Sequence, residues 1–404
     1  MTNTKLMKLV ASCLFLMILS ITCSCIEQPT SGDSGATQIP VATSALKLTP
    51  FRTPTGAAIA TLTPTPSGGH PLRLLVQSEC VTGLAVDSQN IYWSNGGIGC
   101  SGKLTELMVM PKGSGEPKLL AAVQPYSQYL TADADNLFWL TGAWVNGTTP
   151  DFALMQAGKR DGKVTVLWKG NAEITSFAVD DRNVYWATYS WSPRYDAVLF
   201  KMPKDSTSER PQVVVSEKRY RFWSIALGDG RIYWTSDGLK TIDENGGEPK
   251  SILANADLYD AALLHNNLHV GLRDKSSSVS VNRIIKVDAT DIYFTIYVDN
   301  GAGLISCTDQ EDVLVRMAKE TGNIQFLATV PGRLAHFAVG GDSIYLLGDC
   351  GDPLIVVNTN TGESTEIRVG MFASALAVDE ARIYVGYSAG YGNGRIDVTD
   401  LTER

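Results

Sequence analysis

Gly386-Tyr-Ser-Ala-Gly390 has the G-x-S-x-G form of a nucleophile elbow. That elbow works where a strained strand-to-helix turn lifts a serine above a parallel sheet, with a histidine later in the chain as base. Here the motif leaves one strand pattern and enters another, Gly392-Asn-Gly-Arg-Ile-Asp-Val398, and no histidine follows Ser388. It reads as a Gly-rich turn, as does Gly341-Asp-Ser-Ile344. The histidines His70, His265, His269 and His336 form no spaced ligand set, and the Asn pair between His265 and His269 reads as a turn. Asp299, Asn300, Asp309, Glu311 and Asp312 gather oxygen donors in one stretch that could hold Ca²⁺. They lack the glycine-punctuated spacing of an EF-hand, so they read as a solvated acidic loop. No CxxC with zinc-site spacing occurs. No catalytic residue, metal or cofactor is expected.

Asp87, Asp133, Asp180, Asp288 and Asp379 recur at matched places and could suggest a ring of carboxylates. Each, however, opens a short polar turn, where Asp serves by accepting backbone N–H groups. The turn joins two apolar strands, the second ending in Tyr-Trp, as in Leu84-Ala-Val-Asp-Ser-Gln-Asn-Ile-Tyr-Trp93. The Tyr (or Phe) falls at 92, 138, 185, 233, 293, 345 and 384. Most gaps are those of a four-stranded propeller blade. Third and fourth strands follow, as in Leu107-Met-Val-Met-Pro-Lys112 and Pro117-Lys-Leu-Leu120. No such blade buries both faces alone, so neighbours must stack around an axis.

The fold expected is therefore all-β, a single β-propeller over residues 70–404, with seven blades and six or eight as alternatives. A degenerate repeat at Ala262–Val270 makes an extra hairpin in the long gap between Tyr233 and Tyr293. The last repeat ends on Arg395-Ile-Asp-Val-Thr-Asp-Leu401, its third strand. His70-Pro-Leu-Arg-Leu-Leu-Val76 is expected to supply the fourth and close the ring, removing two sheet edges.

Tyr-Trp-Ser-Asn95, Tyr-Trp-Ala-Thr188 and Tyr-Trp-Thr-Ser236 resemble the YWTD repeat of low-density-lipoprotein-receptor propellers and related bacterial surface propellers. No copy keeps Asp in the fourth place, and Phe294, Leu346 and Val385 replace the Trp. The resemblance implies an extracellular propeller that binds other molecules and carries no catalytic residue across.

Lys5 and Lys8 precede an apolar run, Leu9–Ile21, which is too short for a comfortable membrane span. Ser24-Cys25 then resembles the lipobox of bacterial lipoprotein signal peptides, with Thr22 where that motif has Leu. Residues 1–25 are read as a signal peptide with Cys25 lipidated, plain secretion being the alternative. Residues 26–69, rich in Thr, Pro and Ser, cannot bury enough apolar surface to order themselves and read as a disordered tether. An even set of cysteines remains, Cys80, Cys100, Cys307 and Cys350, and disulfides Cys80–Cys100 and Cys307–Cys350 are expected in an oxidising compartment. A net charge of −8 with no Lys/Arg cluster argues against nucleic acid.

Loop length locates the binding face. Turns between first and second strands stay short, whereas loops between second and third strands are long and variable. In a propeller these share a face with the blade-to-blade connections. That face would collect Tyr126, Trp144, Trp191, Tyr195, Tyr220, Trp223, Tyr387 and Tyr391, and exposed aromatics on variable loops are where binding usually lives. The expected protein is a monomeric, non-enzymatic binding module. It is anchored to the membrane by lipid alone and recognises a protein, peptide or glycan at the cell envelope. The alternative is a metal-dependent lactonase or lyase acting in the central channel. The residues expected there, Thr82, Gln128, Thr175, Trp223, His336 and Ser374, form no acid–base pair.

Overall fold

The computed structural model describes residues 72–401, except 97–104, 114, 124–126, 143–150, 192–195, 207–209, 256, 259–277, 300–310, 350–352, 371 and 389–393. The signal-peptide and tether assignments, Cys25, the Ala262–Val270 hairpin, Tyr126, Trp144, Tyr195 and Tyr391 thus lie outside the described residues, as do Cys100, Cys307 and Cys350.

Each copy of the repeat folds as one antiparallel sheet of four strands. Strand β1 (Arg73–Ser78) stands apart from the first blade, which is β2 (Val81–Val86), β3 (Asn90–Asn95), β4 (Thr105–Pro111) and β5 (Lys118–Val123). Blade 2 is β6 (Ser127–Ala132), β7 (Asn136–Thr141), β8 (Phe152–Gly158) and β9 (Val164–Gly170). Blade 3 is β10 (Glu173–Val179), β11 (Asn183–Tyr189), β12 (Asp196–Pro203) and β13 (Gln212–Lys218). Blade 4 is β14 (Ser224–Gly228), β15 (Arg231–Thr235), β16 (Gly238–Asp243) and β17 (Lys250–Ala254). Blade 5 is β18 (Ser278–Val287), β19 (Asp291–Asp299), β20 (Glu311–Ala318) and β21 (Ile324–Pro331). Blade 6 is β22 (Leu334–Gly340), β23 (Ser343–Gly348), β24 (Leu354–Asn358) and β25 (Ser364–Ile367). Blade 7 is β26 (Ala373–Val378), β27 (Arg382–Tyr387) and β28 (Gly394–Asp400), completed by β1 in the order β1-β28-β27-β26. The ring is therefore a seven-bladed propeller closed by its first strand, which pairs from Arg73↔Val398 to Ser78↔Gly394.

The Tyr-Trp dipeptide turns out to be the adhesive between blades. It lies on the second strand, which is covered on both faces, so both rings are buried. Successive residues of a strand point to opposite faces. The Tyr side meets the next blade and the Trp side meets the previous one. Tyr92 packs in one cluster with Trp139, Tyr185 with Trp234, Tyr233 with Phe294, and Tyr345 with Val385. Phe138 meets Trp186, Tyr293 meets Leu346, and Tyr384 meets Trp93 across the closure. Seven interfaces thus carry seven copies of one contact. At about 25 cal/mol per Å² and roughly 200 Å² per ring, each buried Trp contributes up to roughly 5 kcal/mol. The indole Nε1 of Trp93, Trp139 and Trp186 has no acceptor among the described residues, which offsets part of that gain.

The repeated aspartates do the turn work expected of them. Asp87 Oδ1 accepts the N–H groups of Gln89 and Asn90 at 2.8 Å each, and Tyr92 OH donates to Oδ2 at 2.9 Å. Asp180 and Asp379 repeat this arrangement with Tyr185 and Tyr384. A second device joins the blades on this face. The residue after the third strand is Lys in four blades, and its ammonium reaches back to the preceding blade's turn. Lys159 Nζ lies 2.7 Å from Asp87, Lys204 Nζ 2.6 Å from Asp133, and Lys112 Nζ 2.5 Å from Asp379. Lys319 pairs likewise with Asp229. The attraction and hydrogen bonding of this cation, with the backbone donors, outweigh burial and hold Asp87 down at about 2. They lower Asp133 and Asp379 as well.

Candidate functional site

Only the opposite face offers exposed aromatic rings among the described residues. Tyr129, Trp191, Tyr220, Trp223 and Phe372 are the exposed aromatics. Trp191 follows β11, Tyr220 and Trp223 lie between β13 and β14, Phe372 immediately precedes β26, and Tyr129 sits near the start of β6. All belong to second-to-third-strand loops or to blade entries, as the loop-length argument required. Of the exposed aliphatics, Leu74, Leu119, Val166 and Val213 lie instead on the outermost strands, and Val339 lies on β22.

Blades 3 and 4 concentrate the aromatic face around one cation. The Arg221 guanidinium lies 4.7 Å from the Trp223 ring centroid, 5.6 Å from Trp191 and 5.7 Å from Tyr189. Arg221 also pairs with Glu173, whose other carboxylate oxygen accepts Trp191 Nε1–H at 3.0 Å. Tyr189 meets Trp191 edge-on at 5.1 Å. Each large ring is thereby held by a hydrogen bond, a cation–π contact or an aromatic neighbour before anything binds. Beside it, Lys240 lies 5.6 Å from the Tyr220 ring and is paired with Glu217 and Asp237.

Tyr387 is a correction. It was expected on the loop face, but as the last residue of β27 it points into the interface of blades 6 and 7 and is buried. Its OH donates to Val369 O at 2.6 Å, and Arg395 covers its ring at 4.2 Å. Gly386, beside it, is demanded by packing rather than by a nucleophile elbow: a Cβ there would stand 2.5 Å from Val81 Cγ1 of blade 1. Cys80, buried at the entry of β2, is disulfide-bonded; the two expected pairings involve cysteines outside the described residues.

The aromatic face opens on an axial cavity of about 370 Å³. Its wall includes Thr82, Tyr129, Thr175, Trp223, Arg283 and His336. Of the axial residues expected, Thr82, Thr175, Trp223 and His336 line it, joined by Tyr129 and Arg283, whereas Ser374 does not. Six blades carry a β-bulge near the entry of the first strand, and Ser374 stands at it just as Thr82 and Thr175 do in theirs. Ser374 turns to bridge blades, donating to Val81 O at 2.8 Å. Arg283 was legible in principle, because it stands five residues before Asp288, as Thr82 stands before Asp87 and Thr175 before Asp180.

Burial and the neighbouring Arg283 cation push His336 down to about 4, so the imidazole is neutral at physiological pH. Asp312, expected in a solvated acidic loop, is instead fully buried. Its carboxylate accepts Leu334 N–H at 2.6 Å and Asn282 Nδ2–H at 2.9 Å, and burial pushes it up to about 6. Its oxygens are spent inside the protein. Asn300 and Asp309 lie outside the described residues, as do His265 and His269. Among the described residues no group of three His, Cys, Asp or Glu is placed to hold a metal ion.

No family model matches the chain, and no curated protein does. Solved structures do. A CNH domain, AfRom2, matches with TM-score 0.51 at 11% identity, over 82% of this chain and 99% of that one. An oligogalacturonate lyase from Vibrio parahaemolyticus matches with TM-score 0.51 at 12% identity, over 83% and 92%. A prolyl endopeptidase matches with TM-score 0.52 at 12% identity, over 81% of this chain but 48% of its own. At such identities the likeness is one of fold. The class defined is the seven-bladed β-propeller, a frame shared by these enzymes and by non-enzymatic domains alike, and the YWTD likeness remains one of motif.

Proposed function

We propose that this propeller is a non-enzymatic binding module working outside the cytoplasm, tethered through lipidated Cys25, and that it recognises a protein, peptide or glycan at the cell envelope. The observation that carries the reading is the segregation of every exposed aromatic ring among the described residues onto one face. Such rings supply large contact area at small entropic cost, and partner binding concentrates on pre-positioned Trp, Tyr and Arg. Trp191 and Trp223, braced by Arg221 and Glu173, form the centre of that surface. The Lys–Asp bridges on the other face keep the blades in register beneath it.

The test is capture. Immobilised wild-type protein should retain a discrete set of envelope components that Trp191→Ala/Trp223→Ala loses, with the thermal melt unchanged. Leu119→Ala/Val213→Ala, on the outermost strands, should retain the whole set. An identical set on the Trp double variant would remove this face as the site.

A further inference from the structure

The aromatic face accounts for Trp223 but leaves the axial cavity unexplained. Its wall carries a cation that feels the charge of Asp312 but that no carboxylate among the described residues bridges directly. Arg283 makes one side-chain hydrogen bond, Nη1–H to Ala335 O at a long 3.4 Å, and no ion pair with any carboxylate among the described residues. The nearby Asp312 carboxylate is committed to Asn282 and Leu334. Asp133, also on the cavity wall, is bridged by Lys204. A guanidinium has five N–H donors, and those Arg283 does not use stand in the half-buried cavity wall, where a ligand can meet them.

Two further features stand beside that cation. Trp223 and Tyr129 both line the cavity and are about half exposed, at 49% and 45%. Tyr129 stands at the β6 bulge with φ +58°, a left-handed conformation that costs a bulky residue on the order of 1–2 kcal/mol. Strain that sets an exposed ring in a cavity wall is characteristic of a ligand contact. Below lies apolar wall, including Leu130, Phe177 and Phe337.

We infer that the axial cavity is a binding site for a small organic acid, its carboxylate paired with Arg283 and its apolar or aromatic body set against Trp223 and Tyr129. A cavity of about 370 Å³ admits a molecule of one ring or a short branched chain. The planar guanidinium suits a carboxylate, which it can grip with two parallel hydrogen bonds. His336, neutral beside it, leaves Arg283 as the charge that selects. This site is separate from Trp191 and does not rest on the loop-face reading.

Calorimetric titration of the full chain with benzoate, and with benzamide as its uncharged counterpart, tests it. The wild type should bind benzoate saturably at one site and benzamide far more weakly. Arg283→Gln should weaken benzoate on the order of 10- to 100-fold while leaving benzamide unchanged. Trp191→Ala should leave both unchanged. Equal benzoate binding by wild type and Arg283→Gln would overturn the inference, as would equal affinity for benzoate and benzamide, or no saturable benzoate binding by the wild type. Should Arg283→Gln fail to fold, the benzoate–benzamide contrast in the wild type decides, with Trp223→Ala expected to weaken benzoate.

Discussion

Lys159→Met cuts one bridge between blades while keeping most of the apolar stem. Lys159 is nearly buried, its Nζ lies 2.7 Å from Asp87 Oδ2, and it stands 5.1 Å from the Tyr92 ring. Asp87 falls from 3.8 to about 2, a shift worth roughly 2–3 kcal/mol at about 1.4 kcal/mol per unit. Lys159 shares that with Gln89, Asn90 and Tyr92, and solvent reaches part of the pair, so its portion is about 1 kcal/mol. The lost cation–π contact adds about 0.5 kcal/mol. The variant should therefore unfold in urea about 1–2 kcal/mol more easily than wild type at pH 7. The sign with pH follows from linkage. A carboxyl held below its unfolded value contributes stability that is complete above about pH 4 and drains away as pH falls toward 2. Without Lys159 that contribution is smaller, so the gap between the proteins should shrink by roughly half at pH 2. Equal stability at pH 7, or a gap undiminished at pH 2, would refute the reasoning.

Asp312 runs the other way. Its folded value of about 6 lies above the unfolded one, so its contribution is greatest below pH 4 and is lost as pH rises through 6. Asp312→Asn, of the same shape, should gain on wild type in urea unfolding between pH 4 and pH 7; a constant difference across that range would count against a buried protonated acid. Tyr387→Phe removes the hydroxyl donated to Val369 and should cost about 1 kcal/mol in urea without altering capture by the aromatic face. Loss of capture with full stability would return Tyr387 to the binding surface.

The blades, their number and their closure were legible because the strand period and turn chemistry are local and repeat. Asp87 and its counterparts announce their turns within four residues. What was not legible depended on the neighbouring blade. Tyr92 and Trp93 look half-buried in one strand, and only stacking on both sides buries both. Lys112 and Lys204, each following Met-Pro, were visible as part of a strand end, but their partners Asp379 and Asp133 belong to other repeats. Arg283 was hidden by blade 5, whose first strand is ten residues long. Ser374 shares the register of Thr82 and Thr175 yet bridges blades by donating to Val81 O, while Tyr129 lines the axial cavity.

The seven joints between blades are all of the hand-and-glove kind: one flank of each sheet fits the other flank of any sister sheet. Such a pairing carries no count of its own. Removing or duplicating one sheet would leave matching flanks to meet again, and only the angle between successive sheets says when the circle is full. The six- and eight-bladed alternatives came from the long gap between Tyr233 and Tyr293, and at the seam Trp93 meets Tyr384 much as Trp139 meets Tyr92 elsewhere.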